Sequence, residues 1–175
     1  MRSVVLQLGH PTLRQIATPV ADPTAREIKN LVKKLLLTVE ADGGVGIAAP
    51  QIGESKQVII LASRPHPRYP DAPYMDPIAL INPEVVSVSE ELVKGWEGCL
   101  SVPGLRGWVP RNQAVTVRYQ TTQGETQEQT WTGFVARIFQ HEYDHLQGHL
   151  FVDRVESTHD LYSEAEYQKR WAEKR

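Results

Sequence analysis

The sequence predicts an α+β fold. Three observations carry this: an amphipathic helix near the N-terminus, a run of short strand-like segments in the middle, and a second helix whose apolar stripe carries two histidines. The first helix is expected over 23–41. Asp22 is a good N-cap residue, Pro23 suits the first helical position, and Ile28, Leu31, Val32, Leu35, Leu36 and Val39 form one stripe. Gly43-Gly44 stops it. Val58-Ile59-Ile60-Leu61-Ala62 reads as a strand. Residues 64–77 hold five prolines, at 65, 67, 70, 73 and 77, and read as a loop because proline lacks the amide donor. Strands follow at 78–81 and 85–88. Ala114 to Tyr119 and Thr126 to Trp131 flank Thr121-Thr122-Gln123-Gly124 and read as a hairpin. The histidine helix is expected to start near Thr132 or Gly133 and to end before Gly148. Ser163 with Glu166 reads as a capping box for a last helix reaching about Glu173.

A chain of 175 residues suits a single domain, 1–175, long enough to bury a core. Apolar content of 41% and charged content of 23% are ordinary for a globular protein. The formal net charge of −2 provides no field that would gather DNA. No run approaches the 18 or so apolar residues of a membrane helix, and the N-terminal apolar run is too short for a signal peptide. Cys99 is the only cysteine, which excludes an internal disulfide and suggests a reducing compartment. The expectation is a cytoplasmic protein, or an organellar one whose transit peptide has been removed.

The chemistry concentrates in His141-Glu142-Tyr143-Asp144-His145 and in Glu97-Gly98-Cys99-Leu100-Ser101. Histidines four apart on a helix are separated by about 400°, so both project from one face and can share a metal. Phe134, Ile138, His141 and His145 lie at steps of four, three and four, so the histidines replace apolar residues on a face that should be buried. A buried histidine pair needs partners, and a metal supplies them. A catalytic metal takes three protein ligands and leaves one position open, and Cys99 is the candidate third ligand. Glu142 stands where a general acid/base is needed.

Rival readings fare less well. A metzincin would carry a third histidine where Phe151 stands. A thermolysin-like site would need a downstream glutamate, for which Glu156, Glu164 and Glu166 are available, but Glu164 and Glu166 sit in what reads as a separate solvated helix. A nucleophilic Cys–His enzyme does not account for the spacing of both histidines and Glu142. A closed structural zinc site needs neither Glu142 nor Gln51. The remaining histidines, His10, His66, His149 and His159, lack a comparable context and read as solvated or locally bonded. Asp144 could orient a neighbour or form a surface salt bridge.

Three stretches together resemble the peptide deformylase family: Gly44-Val45-Gly46-Ile47-Ala48-Ala49-Pro50-Gln51, Glu97 to Ser101, and Gln140-His141-Glu142-Tyr143-Asp144-His145-Leu146. They occur in the family's order, and the resemblance spans about Leu13 to Asp153. Ile47 stands where the family usually has leucine, a near-isosteric swap. The resemblance implies mainly antiparallel sheets wrapped around the metal-bearing helix. It implies removal of the formyl group from the N-terminal methionine of new polypeptides, with release of formate. Cys99, His141 and His145 would hold one divalent metal, physiologically Fe2+, with Zn2+, Ni2+ or Co2+ able to substitute. Glu142 would move the proton. The Gln51 side-chain amide and the Leu100 backbone N–H would stabilise the oxyanion. The segment containing Gly44, Gly46 and Ile47 would pair with the substrate as an added strand. Phe134, Arg137 and Ile138 would line the methionine pocket. Arg106 matches an arginine that follows the family's cysteine motif, with a structural or substrate-positioning role. The family also implies a ribosome-associated role for the last helix, but its mixture of Glu164, Glu166 and Glu173 with Lys169, Arg170, Lys174 and Arg175 gives no strongly basic face.

Overall fold

The apolar run at 58–61 explains the layering. A strand exposes alternate side chains to opposite faces, so a strand that is apolar throughout is covered on both. In the structure, a computed structural model that describes residues 3–67 and 69–172, all four residues of this strand are fully buried. Val58 and Ile60 meet one helix, α1 (Arg26–Ala41), together with Ile28, Leu31, Leu35 and Val39. Ile59 and Leu61 meet the other, α2 (Gly133–Leu146), through Ala136, Ile138 and Phe139.

The strands are β1 (Gly46–Ala48), β2 (Val58–Leu61), β3 (Ile78–Val88), β4 (Leu92–Cys99), β5 (Val102–Asn112), β6 (Ala114–Gln120), β7 (Thr126–Thr132) and β8 (Leu161–Ser163). They form a five-stranded sheet ordered β1-β2-β3-β6-β7 and a three-stranded sheet ordered β4-β5-β8, with every pairing antiparallel. Helix α2 packs on β1, β2, β6 and β7 of the first sheet and on β5 of the second. The fold class is therefore α+β, with antiparallel sheets around the histidine helix. A short helix, α3 (Glu164–Tyr167), follows β8 and continues as a π-helical turn over Gln168–Ala172. Ser163 caps it by accepting from the Glu166 amide.

Several boundaries differ from the sequence expectation. Helix α1 starts at Arg26, because Asp22 spends its carboxylate on the Thr24 amide (2.9 Å) and hydroxyl (2.7 Å) and caps a turn instead. The segments expected at 78–81 and 85–88 are one strand, β3, with a register shift between them. Asn82 makes the shift with φ of 50°, a left-handed conformation asparagine tolerates. Its amide donates to Val20 O and Gln120 Oε1, both at 2.8 Å. Strands β4 and β5 were not anticipated: glycines at 95, 98, 104 and 107 and prolines at 103 and 110 hide their alternation. Residues 173–175 of the expected last helix lie outside the described residues.

Phe139 is fully buried on α2 between Trp131 and Tyr143, with ring centroids at 5.8 and 5.5 Å. Phe139→Ala should cost about 3–5 kcal/mol of folding stability in a urea titration. A cost below about 1 kcal/mol would mean that α2 is not the packing centre of the fold.

Candidate metal centre and active site

Helix α2 delivers His141 and His145 to the same side, and the end of β4 delivers Cys99. The ligand atoms of these three residues all lie within 4.8 Å of one another. Cys99 Sγ is 3.4 Å from His145 Nε2. Gln51 sits in the 3-10 turn after β1 (Ala49–Ile52), and its Oε1 accepts from the Ala48 amide at 2.8 Å. That bond turns Nε2 inward, 3.1 Å from Ser101 Oγ and 3.5 Å from Cys99 Sγ. The Ser101 amide donates to the same sulfur at 3.3 Å.

Glu97 sets the orientation of His141. Its buried carboxylate receives Arg111 in a fork at 2.9 and 3.0 Å, Arg137 at 2.9 Å, and contacts His141 Nδ1 at 2.9 Å. Burial pushes the Glu97 carboxyl up, but the charge of Arg111 and the His141 contact outweigh it and hold it well below the usual carboxylate range. An ionised Glu97 accepts a hydrogen bond from Nδ1–H and so leaves Nε2 to bind a metal. Burial lowers the His141 pKa, but bonds to Cys99 and Glu97 outweigh it and raise it well above normal. Metal binding there displaces a proton. His145 is held well below its ordinary value, first by burial and then by the charge of His141, and so stays neutral. Glu142 is 4% exposed, and burial pushes its carboxyl up to about 7.

The residues fit a metal on three grounds. The thiolate and two imidazoles converge, one imidazole has its tautomer set by a carboxylate, and two buried polar atoms beside them, Glu142 Oε2 and His145 Nδ1, have no hydrogen-bond partner.

A cleft of about 520 Å3 opens onto this group. Gly44, Gly46, Gln51, Leu100, Phe134, Arg137, Ile138 and Glu142 all line it. Gly46 is required sterically: a Cβ there would stand 2.6 Å from Glu142 Oε1 and 2.8 Å from Ile138 Cγ2. Ile47 does not line the cleft; its side chain points the other way into the α1 core, as the alternation of β1 dictates. Arg137 reaches the cleft, yet its guanidinium is engaged with Glu97 and with the carbonyls of Val93, Gly95 and Val109.

This convergence of two motifs and a glutamine on one cleft admits a test against known proteins. A family model described as polypeptide deformylase matches residues 3–160. The chain belongs to the polypeptide deformylase family. A deformylase of Nostoc sp., named peptide deformylase 2, is 56% identical over 165 residues, covering 94% of this chain and 92% of the relative. The class I type b peptide deformylase of Acinetobacter baumannii, solved with Met-Ala-Ser bound, superposes with a TM-score of 0.87 at 48% identity, covering 89% of this chain and 99% of that one. The deformylase of Thermotoga maritima superposes at 0.80 with 34% identity, covering 90% and 99%. Deformylases are metal-dependent hydrolases that remove the formyl group from the N-terminus of new polypeptides.

The motifs singled out Cys99, His141, His145 and the flanking glutamate, but not their support. Arg111 bridges Glu97 to Asp144 (2.6 Å), and Arg154 grips Asp144 at 2.7 and 3.1 Å. Asp144 is thus a buried partner of arginines and not a surface salt bridge. Arg111 and Arg154 carried no sequence signal beyond being charged residues in apolar surroundings. His10 is locally bonded, its Nδ1 accepting from the Thr12 amide.

Glu97→Gln keeps the shape and removes the charge. Metal affinity should fall about 10–100-fold in a chelator competition, and stability should fall by about 3–5 kcal/mol because Arg111 and Arg137 lose their counter-charge. Unchanged affinity would show that Glu97 does not orient the ligand.

Proposed function

We propose that Cys99, His141 and His145 hold one divalent metal and that Glu142, Gln51 and the Leu100 amide perform the deformylation around it. One thiolate with two imidazoles suits iron, zinc or cobalt. Fe2+ is the physiological ion in this reading, and Zn2+, Ni2+ and Co2+ are able to take its place. When bound, such an ion polarises a carbonyl and lowers the pKa of water from about 15.7 towards 7. The observation that carries the reading is the unpartnered Glu142 carboxylate oxygen, buried beside three convergent ligand atoms.

The chain's own groups account for the remaining steps. A formylated peptide adds to the open edge of β1, which among the described residues pairs only with β2. The backbone of 44–47 serves as the template, Gly44 and Gly46 allow close approach, and Ile47 contributes its main chain. Phe134 and Ile138 receive the methionine side chain, with Arg137 tied back beside them. Gln51 Nε2 and the Leu100 N–H stabilise the carbonyl oxygen as it becomes an oxyanion; one such donor is worth about 2.7–4 kcal/mol. Glu142 takes a proton from the attacking water and returns it to the amine as the C–N bond breaks, releasing formate and a free N-terminus. A base poised near pH 7 suits both transfers.

The whole chain acts as one domain in this reading. We place it in the cytoplasm, or in an organelle that makes formylated chains, because Cys99 must stay reduced to serve as a ligand. Among the described residues no helix is long and apolar enough to cross a membrane. New chains emerge at the ribosome, but Lys169 and Arg170 both pair with Glu166, so the described part of the last helix presents no free basic face for docking there.

Glu142→Gln should retain metal and fold while losing most of its turnover, by about 10²–10⁴-fold. Near-normal kcat in a metal-normalised assay would remove Glu142 as the proton carrier. An acetyl group adds a methyl to the reacting carbon, where overpacking costs about 1–3 kcal/mol and misaligns the carbonyl. Formyl-Met peptides should therefore be hydrolysed much faster than acetyl-Met peptides. Similar kcat/KM for the two would point to a broader amidase.

A further inference from the structure

Tyr69 belongs to none of the three motifs. It lies on the proline-rich loop between β2 and β3, yet its side chain lines the cleft beside Phe134, with ring centroids 5.1 Å apart. Arg106 holds it there. The guanidinium donates from Nη1 to the Tyr69 hydroxyl at 3.0 Å and stands 5.3 Å from the ring centroid. Arg106 is itself 1% exposed. It is fixed by Glu164, through Nε at 2.6 Å and Nη2 at 3.3 Å, and by the face of Tyr167 at 4.9 Å. The last helix thereby reaches the cleft through two side chains.

Behind Tyr69 lies a second cavity of about 800 Å3, lined by Trp108, Tyr167 and Lys94 among others. Tyr69, Trp96, Phe134 and Arg137 line both spaces and so form the partition between them. Three of the four are anchored by regular structure: Trp96 on β4, Phe134 and Arg137 on α2. Tyr69 comes from a loop, and its place in the partition depends on the Arg106 clamp.

We propose that Tyr69, clamped by Arg106, is a specificity-determining residue that ends the side-chain pocket and limits the first residue of the substrate to a chain about as long as methionine. The inference rests on the deformylase reading and on Phe134 and Ile138 receiving the first side chain. The second cavity gives a longer apolar or aromatic side chain somewhere to go once the wall is removed.

The test compares kcat/KM for formyl-Met-Ala-Ser and formyl-homophenylalanyl-Ala-Ser with the metal-replete full chain. Tyr69→Ala should shift the ratio towards the longer residue by roughly tenfold or more, the scale of adding or removing pocket volume, and mainly through KM. Tyr69→Phe keeps the ring and its contact with the guanidinium but loses the hydroxyl bond to Arg106, so its shift should be smaller and in the same direction. Arg106→Gln should act like Tyr69→Phe and add nothing in the Tyr69→Ala background. A folded Tyr69→Ala protein with an unchanged ratio overturns the proposal. So does an equal loss of turnover on both substrates, the mark of a merely structural role. Absence of formyl-Met hydrolysis by the unaltered protein would instead overturn the underlying reading, and the inference with it.

Discussion

The carboxylate of Glu97 is the constraint on which the site depends. It is 3% exposed and sits where β4, β5 and α2 meet. A buried charge is tolerated only when it is paired and fully hydrogen-bonded. Glu97 meets this condition with four contacts from three residues: the Arg111 fork, Arg137 and His141. Arg111 comes from β5 and Arg137 and His141 from α2, so satisfying the charge also fixes the second sheet against the helix. One of these contacts sets the tautomer of His141, a member of the convergent triad. Structure and chemistry thus share one group, and moving either Arg111 or Arg137 would leave the buried Glu97 charge short of a partner.

The layering does the rest of the positioning. Because the five-stranded sheet is covered on both faces, α2 is pressed into the space between two sheets, and its polar residues must find partners within the protein. His141, Glu142, Asp144 and His145 are the residues that face this demand. Asp144 is answered by Arg111 and Arg154. Glu142 lines the cleft and keeps one buried oxygen without a partner. The edge of β1 meets the helix at Gly46, where the absence of a side chain lets the backbone approach the Glu142 carboxylate. The backbone at Gly46, the Glu142 carboxylate, Cys99 and His141 are thereby brought to one cleft.

Much was legible from local rules. The stripe of α1, the hairpin of β6 and β7, the extent of α2 and its glycine stop at Gly148 follow from periodicity and turn chemistry, both short-range. Cys99, His141 and His145 were legible because metal ligation restricts residue type and, within a helix, spacing. Strands β4 and β5 were not. Their glycines are demanded by distant partners: a Cβ at Gly95 would meet the Arg137 guanidinium at 2.8 Å, and one at Gly107 would meet the Phe151 ring at 2.8 Å. Contacts made by residues far apart in sequence leave no periodic trace. The early start expected for α1 failed for a different, local reason, since Asp22 had two local uses and capping the preceding turn won.

The sequence by itself determined the fold class and singled out Cys99, His141, His145 and the flanking Glu142, because each rests on residue chemistry or on spacing within a single element. Only the tertiary structure decided which buried charges answer one another, that Ile47 faces the core while Gly46 faces the cleft, and that a tyrosine from a proline-rich loop stands in the pocket wall under the hold of Arg106. The reason is physical. Burial and charge pairing depend on distances through space, and a linear chain records only distances along itself.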